Sequence, residues 1–180
     1  MADDEESRTV LNIVRARFLA PLGMTALSPL AERGAAAGVF FSRGHDRGHA
    51  GRLYVGLSAD CITVGFSIYD TWRGPKGALQ TIFRRRLVQE RELFDKLLAN
   101  SVRGKRYETY WHRQEGREWV QHPGLPRRDA DWQSLQAWIV RKVHLPNSRA
   151  VAEPAFANHV ERVFKDLYPL YVFTSELRAK

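Results

Sequence analysis

Arg86 and Glu90 lie four residues apart on what should be the apolar side of a helix, where a guanidinium and a carboxylate can do chemistry. Around them Leu79, Ile82, Phe83, Leu87, Leu93, Phe94, Leu97 and Leu98 recur at helical spacing. At about 100° per residue, Arg86 and Glu90 fall near the middle of that stripe. One reading makes Arg86 the anchor for an anionic ligand in a pocket between helix and sheet, with Glu90 orienting it or serving as general acid or base. The other makes the two an i,i+4 ion pair that tethers the helix to backbone groups. Arg84 and Arg85 precede Arg86 and point in other directions, toward solvent, where they suit an anionic partner.

A second cluster is the tandem Arg-Gly-His of Arg43, Gly44, His45 and Arg47, Gly48, His49, with Asp46 between. Two imidazoles and a carboxylate so close can bind a transition metal, and a neutral imidazole can accept a proton, so His45 and His49 join Glu90 as candidates for proton transfer. The glycines make this segment a poor helix and deny the histidine pair a shared face. We therefore assign no metal and no cofactor from the sequence, and read Arg43 and Arg47, with Arg52 beyond them, as groups that can hold an anion in a solvated loop.

The third cluster interleaves aromatic and basic residues. Tyr107, Tyr110, Trp111 and Trp119 alternate with Arg103, Lys105, Arg106, Arg113 and Arg117, a pattern that can stack on unpaired bases while pairing with phosphates. Alternation along a strand predicts Tyr107, Thr109 and Trp111 on one face and Glu108, Tyr110 and His112 on the other, with Trp119 and His122 near this second, accessible face.

Composition limits what these clusters can be part of. The 180 residues are 44% hydrophobic and 27% charged, which fits one ordinary domain with a real core. No run reaches the roughly 18 consecutive apolar residues of a membrane helix, and the acidic start (Asp3, Asp4, Glu5, Glu6) is unlike a secretory signal, so the expected location is cytoplasmic and no membrane partner is expected. Cys61 is the single cysteine, which excludes an internal disulfide and a zinc site built mainly on thiolates. Beyond the acidic tip at 1–6, expected to be disordered, 28 bases face 16 acids, and 22 of the bases are arginine. Such a surface attracts polyanions, nucleic acid or an acidic protein, although arginine-rich composition also arises by default in GC-rich genomes.

The elements that must carry these groups follow from periodicity and punctuation. Helices are predicted over 6–19, stopped by Pro21, and over 28–37, capped by Ser28 with Pro29 at its first position. A glycine-rich loop follows over 42–52. Leu53, Val55 and Leu57, then Ile62, Val64, Phe66 and Ile68, alternate as a hairpin before the helix over 76–100. A second strand pair is predicted at 106–112 and 117–121. Asp129 or Asp131 should cap a helix carrying Trp132, Leu135, Trp138, Ile139 and Val143 and closed by Pro146. The last helix starts near Pro154 and is broken by Pro169, which leaves 170–173 as a short strand or an apolar tail. The expectation is a single α+β domain over 1–180, an antiparallel sheet from two hairpins packed on a long amphipathic helix, with additional helices at both ends.

Familiar enzyme signatures are missing: no phosphate-binding loop ending in Gly-Lys-Ser/Thr, no dinucleotide glycine fingerprint, no HExxH and no Gly-x-Ser-x-Gly. The strand pair GRLYVGLSADCITVGFSIYD, the helix GALQTIFRRRLVQERELFDKLL and the late segment FANHVERVFKDLYPLYVF together resemble a bacterial family of uncharacterised proteins, domain of unknown function 2461, over roughly 51–175. In that family a strand pair similarly leads into a helix with an arginine on its apolar side, which implies that role for Arg84 or Arg86. SRGHDRGH stands as a degenerate counterpart of the family's upstream segment rich in Arg, Asp, Lys and Tyr. The resemblance brings no established activity. The residues by themselves point to recognition of an anionic partner, with a small enzyme built on Arg86, Glu90 and the loop histidines, or a module that docks an acidic protein, as the alternatives.

Overall fold

Pairing between distant strands, more than local propensity, decides this architecture. The computed structural model describes residues 24–32, 35–42, 51–57, 61–69, 78–105, 107–145 and 155–174, with side chains described from Gly51 onward at most of these positions. Strands β1 (Met24–Glu32), β2 (Ala35–Ser42), β3 (Arg52–Leu57) and β4 (Ile62–Tyr69) are followed by helices α1 (Ala78–Gln89) and α2 (Arg91–Ser101). Strands β5 (Glu108–Glu115) and β6 (Glu118–Pro123), the short helix α3 (Asp129–Ser134), strand β7 (Ala137–His144) and the long helix α4 (Ala155–Thr174) complete the described chain. All seven described strands join one antiparallel sheet in the order β1-β2-β3-β4-β7-β5-β6, and side chains are described on the five from β3 to β7. The fold is thus α+β, and both expected hairpins, β3–β4 and β5–β6, are present.

The helix expected over 28–37 is replaced by strand: 28–32 belong to β1 and 35–37 to β2. Pro29 has no N–H to give a ladder, and β1 accommodates it at a sheet edge, where the register shifts between Leu27 and Leu30. The single helix expected over 76–100 is two, broken at Glu90 (φ −129°, ψ 38°), whose carbonyl accepts from Phe94 N–H at 3.0 Å to start α2. No proline or glycine marks the break. The helix expected to run from Asp129 or Asp131 to Pro146 ends at Ser134, and Ala137–His144 is a strand, paired with β4 on one side and β5 on the other. Its Trp-Ile-Val run favours the pleated conformation once two strand edges are there to meet it. The cap residue is Arg128, whose backbone N–H is taken at 3.2 Å by the Asp131 carboxylate reaching back from the first turn.

Pro169 does not end the last helix, and 170–173 is neither strand nor tail, since α4 runs through to Thr174. An internal proline costs about 3 kcal/mol. Leu170, Tyr171 and Phe173, all fully or nearly fully buried beyond it, offset this at roughly 1.5–3 kcal/mol for each large side chain. The helix expected over 6–19, the acidic tip, and most of the 42–52 loop lie outside the described residues.

The core sits between the sheet and the helices α1, α2 and α4. Trp138 is its centre, with ring centroids 5.1 Å from Trp132, 5.5 Å from Phe66, 6.1 Å from Phe94 and 6.4 Å from Phe83. Residues paired across the sheet share a face, so Val64, Phe66, Val140, Trp138 and Trp111 point to this helical side. Strand β4 is buried along seven of its eight residues, on both faces.

Candidate functional site

The β5–β6 hairpin and the segment leading into α3 enclose a cleft of about 380 Å³. Trp111, Pro123 and Leu125 form its apolar wall, Arg113, His122, Arg127 and Arg128 contribute basic groups, and Asp131 is the lining carboxylate. Two local features build it. Cross-strand pairing puts Trp111 opposite His122 and Arg113 opposite Val120, so these side chains share the helical face of the sheet. Gly124, at φ 77°, then turns the chain, and its N–H donates to the Thr109 carbonyl at 2.8 Å, bringing Leu125, Arg127 and Arg128 back over the hairpin.

Electrostatics order the guanidinium groups. Arg128 donates to Asp131 through Nη2 at 2.8 Å and Nε at 3.1 Å, and Arg113 reaches the same carboxylate through Nη1 at 3.4 Å. Hydrogen bonds from Arg128, with the charge of Arg113 nearby, hold the Asp131 carboxyl below the usual carboxylate range. Arg113 also donates through Nε to Glu115 at 2.6 Å, and Glu115 lies 3.1 Å from His122 Nε2. Arg113 lowers the Glu115 carboxyl in the same way, so both acids are anionic at neutral pH. Arg127 is exposed and has no ion pair or hydrogen bond among the described residues. The arrangement can present guanidinium donors of fixed direction to an anion lying against an apolar wall.

The expected site residues fall in different places. Trp111 lines the cleft but is buried, its ring stacked on His122 at 4.3 Å and 21°, with the Arg113 guanidinium 5.7 Å from its centroid. Pairing with Trp111 moves His122 to the helical face and away from the accessible face where it was expected. Trp119 is exposed on the opposite face of the hairpin, beside His112 at 5.8 Å. Arg52 also projects from that opposite face, three strands or roughly 14 Å from β5, and burial lowers its pKa. Arg43, Arg47, His45, His49 and Arg106 lie outside the described residues. Among the described residues no three His, Cys, Asp or Glu side chains come together to hold a metal ion, and no helix is long and apolar enough to cross a membrane.

Arg86 and Glu90 are not a pair. Arg86 is half-buried and donates through Nη1 to the carbonyls of Val172 and Phe173, both at 2.9 Å. Both carbonyls lie in the last described turn of α4, so the guanidinium ties α1 to that end of the helix. Glu90 is exposed at the break between α1 and α2. Arg84 is half-buried and Arg85 exposed on α1.

Sequence reading passed over Arg127, Arg128 and the bridging role of Asp131. The available signal was the segment Pro-Gly-Leu-Pro-Arg-Arg-Asp, which turns sharply and then places two arginines one and two residues before a helix. No family model matches this chain, and no curated protein or solved structure matches it either.

Proposed function

We propose that this chain recognises an anionic partner, nucleic acid or a phosphorylated ligand, through its arginine-rich surface, with the cleft between the β5–β6 hairpin and α3 as the point of contact. The observation that carries this reading is the convergence of Arg113, Arg127 and Arg128 on one cleft whose lining contains a single carboxylate, Asp131. Asp131 and Glu115 orient two of these guanidiniums without using all their donors, and Arg127 is left wholly available. The alternative of a small enzyme built on Arg86 and Glu90 is the less favoured, because Arg86 donates Nη1 to backbone carbonyls and does not pair with Glu90.

Fluorescence anisotropy with labelled single- and double-stranded DNA and RNA, at low and near-physiological salt, tests the proposal. Binding should weaken steeply with salt, and Arg127→Ala should reduce the slope of log K against log salt by roughly 0.7–0.9 if that arginine neutralises one phosphate. Absence of binding by every oligonucleotide and by phosphorylated small molecules at low salt would refute it.

A further inference from the structure

We infer that the ligand of this cleft is a phosphomonoester on a flat, weakly polar body, of the nucleoside monophosphate class; the inference rests on the reading of the cleft as an anion site. Three observations carry it. The first is size: about 380 Å³ lies within the range of small-molecule sites and is bounded by one hairpin and one turn, whereas a polymer backbone needs an extended groove. The second is the mixed lining. Trp111, Pro123 and Leu125 contribute apolar surface beside the guanidiniums, with Arg113 5.7 Å from the Trp111 ring centroid, which suits a ligand that joins a charged group to an apolar body.

The third is the count of unused donors. Arg128 uses Nε and Nη2 on Asp131 and keeps Nη1; Arg113 uses Nε on Glu115 and Nη1 on Asp131 and keeps Nη2; Arg127 keeps all five N–H groups. Three lining arginines against one lining carboxylate leave a formal charge of +2, which Glu115, paired with Arg113 at 2.6 Å but not part of the lining, reduces to +1. A phosphomonoester offers three terminal acceptor oxygens to the three guanidiniums and carries about −1.5 to −2 at neutral pH, whereas an internal phosphodiester offers two such oxygens and carries a single charge. Asp131 and Glu115 are then positioning residues, which fix the direction in which Arg128 and Arg113 present their free donors.

The test is isothermal titration of the full chain with AMP, GMP, CMP and UMP, alongside adenosine, inorganic phosphate and a twelve-residue oligothymidylate. At least one monophosphate should bind, more tightly than inorganic phosphate, while adenosine should not bind. Arg127→Ala should weaken that affinity about tenfold or more without changing the thermal midpoint of the free protein, since its side chain is exposed and makes no ion pair or hydrogen bond among the described residues. Affinity should also fall as the pH drops through about 6, where the phosphomonoester loses its second charge. Oligonucleotide binding without monophosphate binding would overturn the ligand class and leave anion recognition standing. Inorganic phosphate binding as tightly as every monophosphate would overturn the role of the apolar wall. Monophosphate binding that Arg127→Ala leaves unchanged would place the site elsewhere, and no binding by any probe would overturn both readings.

Discussion

Replacing Arg86 by alanine should destabilise the protein as a whole, because its guanidinium ties α1 to the last described turn of α4. Arg86 Nη1 donates to the carbonyls of Val172 and Phe173, both at 2.9 Å. Hydrogen bonds to a charged donor contribute about 1.5–3 kcal/mol each, and a cation at a helix C-terminus adds about 0.3–1 kcal/mol. Both bonds come from one nitrogen of a half-buried side chain, so the sum overcounts, and the expected loss is about 3 kcal/mol. For a chain of this size that is a fall of roughly 6–12 °C in Tm. Urea unfolding followed by circular dichroism should show the midpoint falling with an unchanged m-value. Arg86→Lys should recover part of the loss by restoring the charge, whereas Arg86→Met, which restores only the stem, should recover less. A shift below about 0.5 kcal/mol for Arg86→Ala would refute the argument that this tether stabilises the fold.

Acid should weaken the contact between β7 and α4. His144 and His159 lie 4.7 Å apart, ring to ring, and burial pushes both imidazoles below their usual value, His159 to about 4, with Lys142 and Arg162 adding repulsion at His159. The unfolded chain therefore binds protons first. Their stabilising contribution is intact above about pH 6.5 and is lost as the pH falls toward 4; His159→Phe should flatten the dependence of the urea midpoint on pH in that window. Gly65→Ala should prevent folding or cost over about 4 kcal/mol, because a Cβ there would run into the Val140 carbonyl and Arg141 Cα of the neighbouring strand, and soluble yield with circular dichroism would reveal it. Trp138→Ala should cost about 3–5 kcal/mol in urea unfolding. Trp138→Phe should cost clearly less, because it also removes an indole N–H that is buried without a partner among the described residues.

Local patterns in the sequence reveal the two hairpins because their alternation is strict and their turns are short. Leu53, Val55, Val64 and Phe66 could be assigned inward without knowing what covered them. Trp138, Ile139 and Val143 could not, because their spacing fits a helix as well as a strand and only the free edges of β4 and β5 decide between the two. Pro169 misleads for a related reason: its local cost is real, and the burial that outweighs it comes from residues far along the chain. Arg86 stands out in the stripe as a charge among apolar residues, but its backbone partners are 86 and 87 residues away, beyond the reach of any spacing argument. The cleft was partly legible through Trp111 and Arg113. Its missing half is a proline-bounded turn that carries no periodicity at all.

The position of β7 has a consequence for the order of assembly. Among the described strands it is the last to be made, yet it lies between β4 and β5 and pairs with both. A nascent chain that has emerged as far as Pro123 can hold each hairpin, but β4 and β5 each then face water with an open row of amide and carbonyl groups. At about 5–20 residues per second, the interval until His144 follows lasts roughly 1–4 s, long compared with the microseconds in which hairpins form. During that time the two edges are competent to pair with each other or with a neighbouring chain. β7 thus acts as a keystone whose late arrival ends the exposure, so faults in this strand should appear in cells first as lost yield.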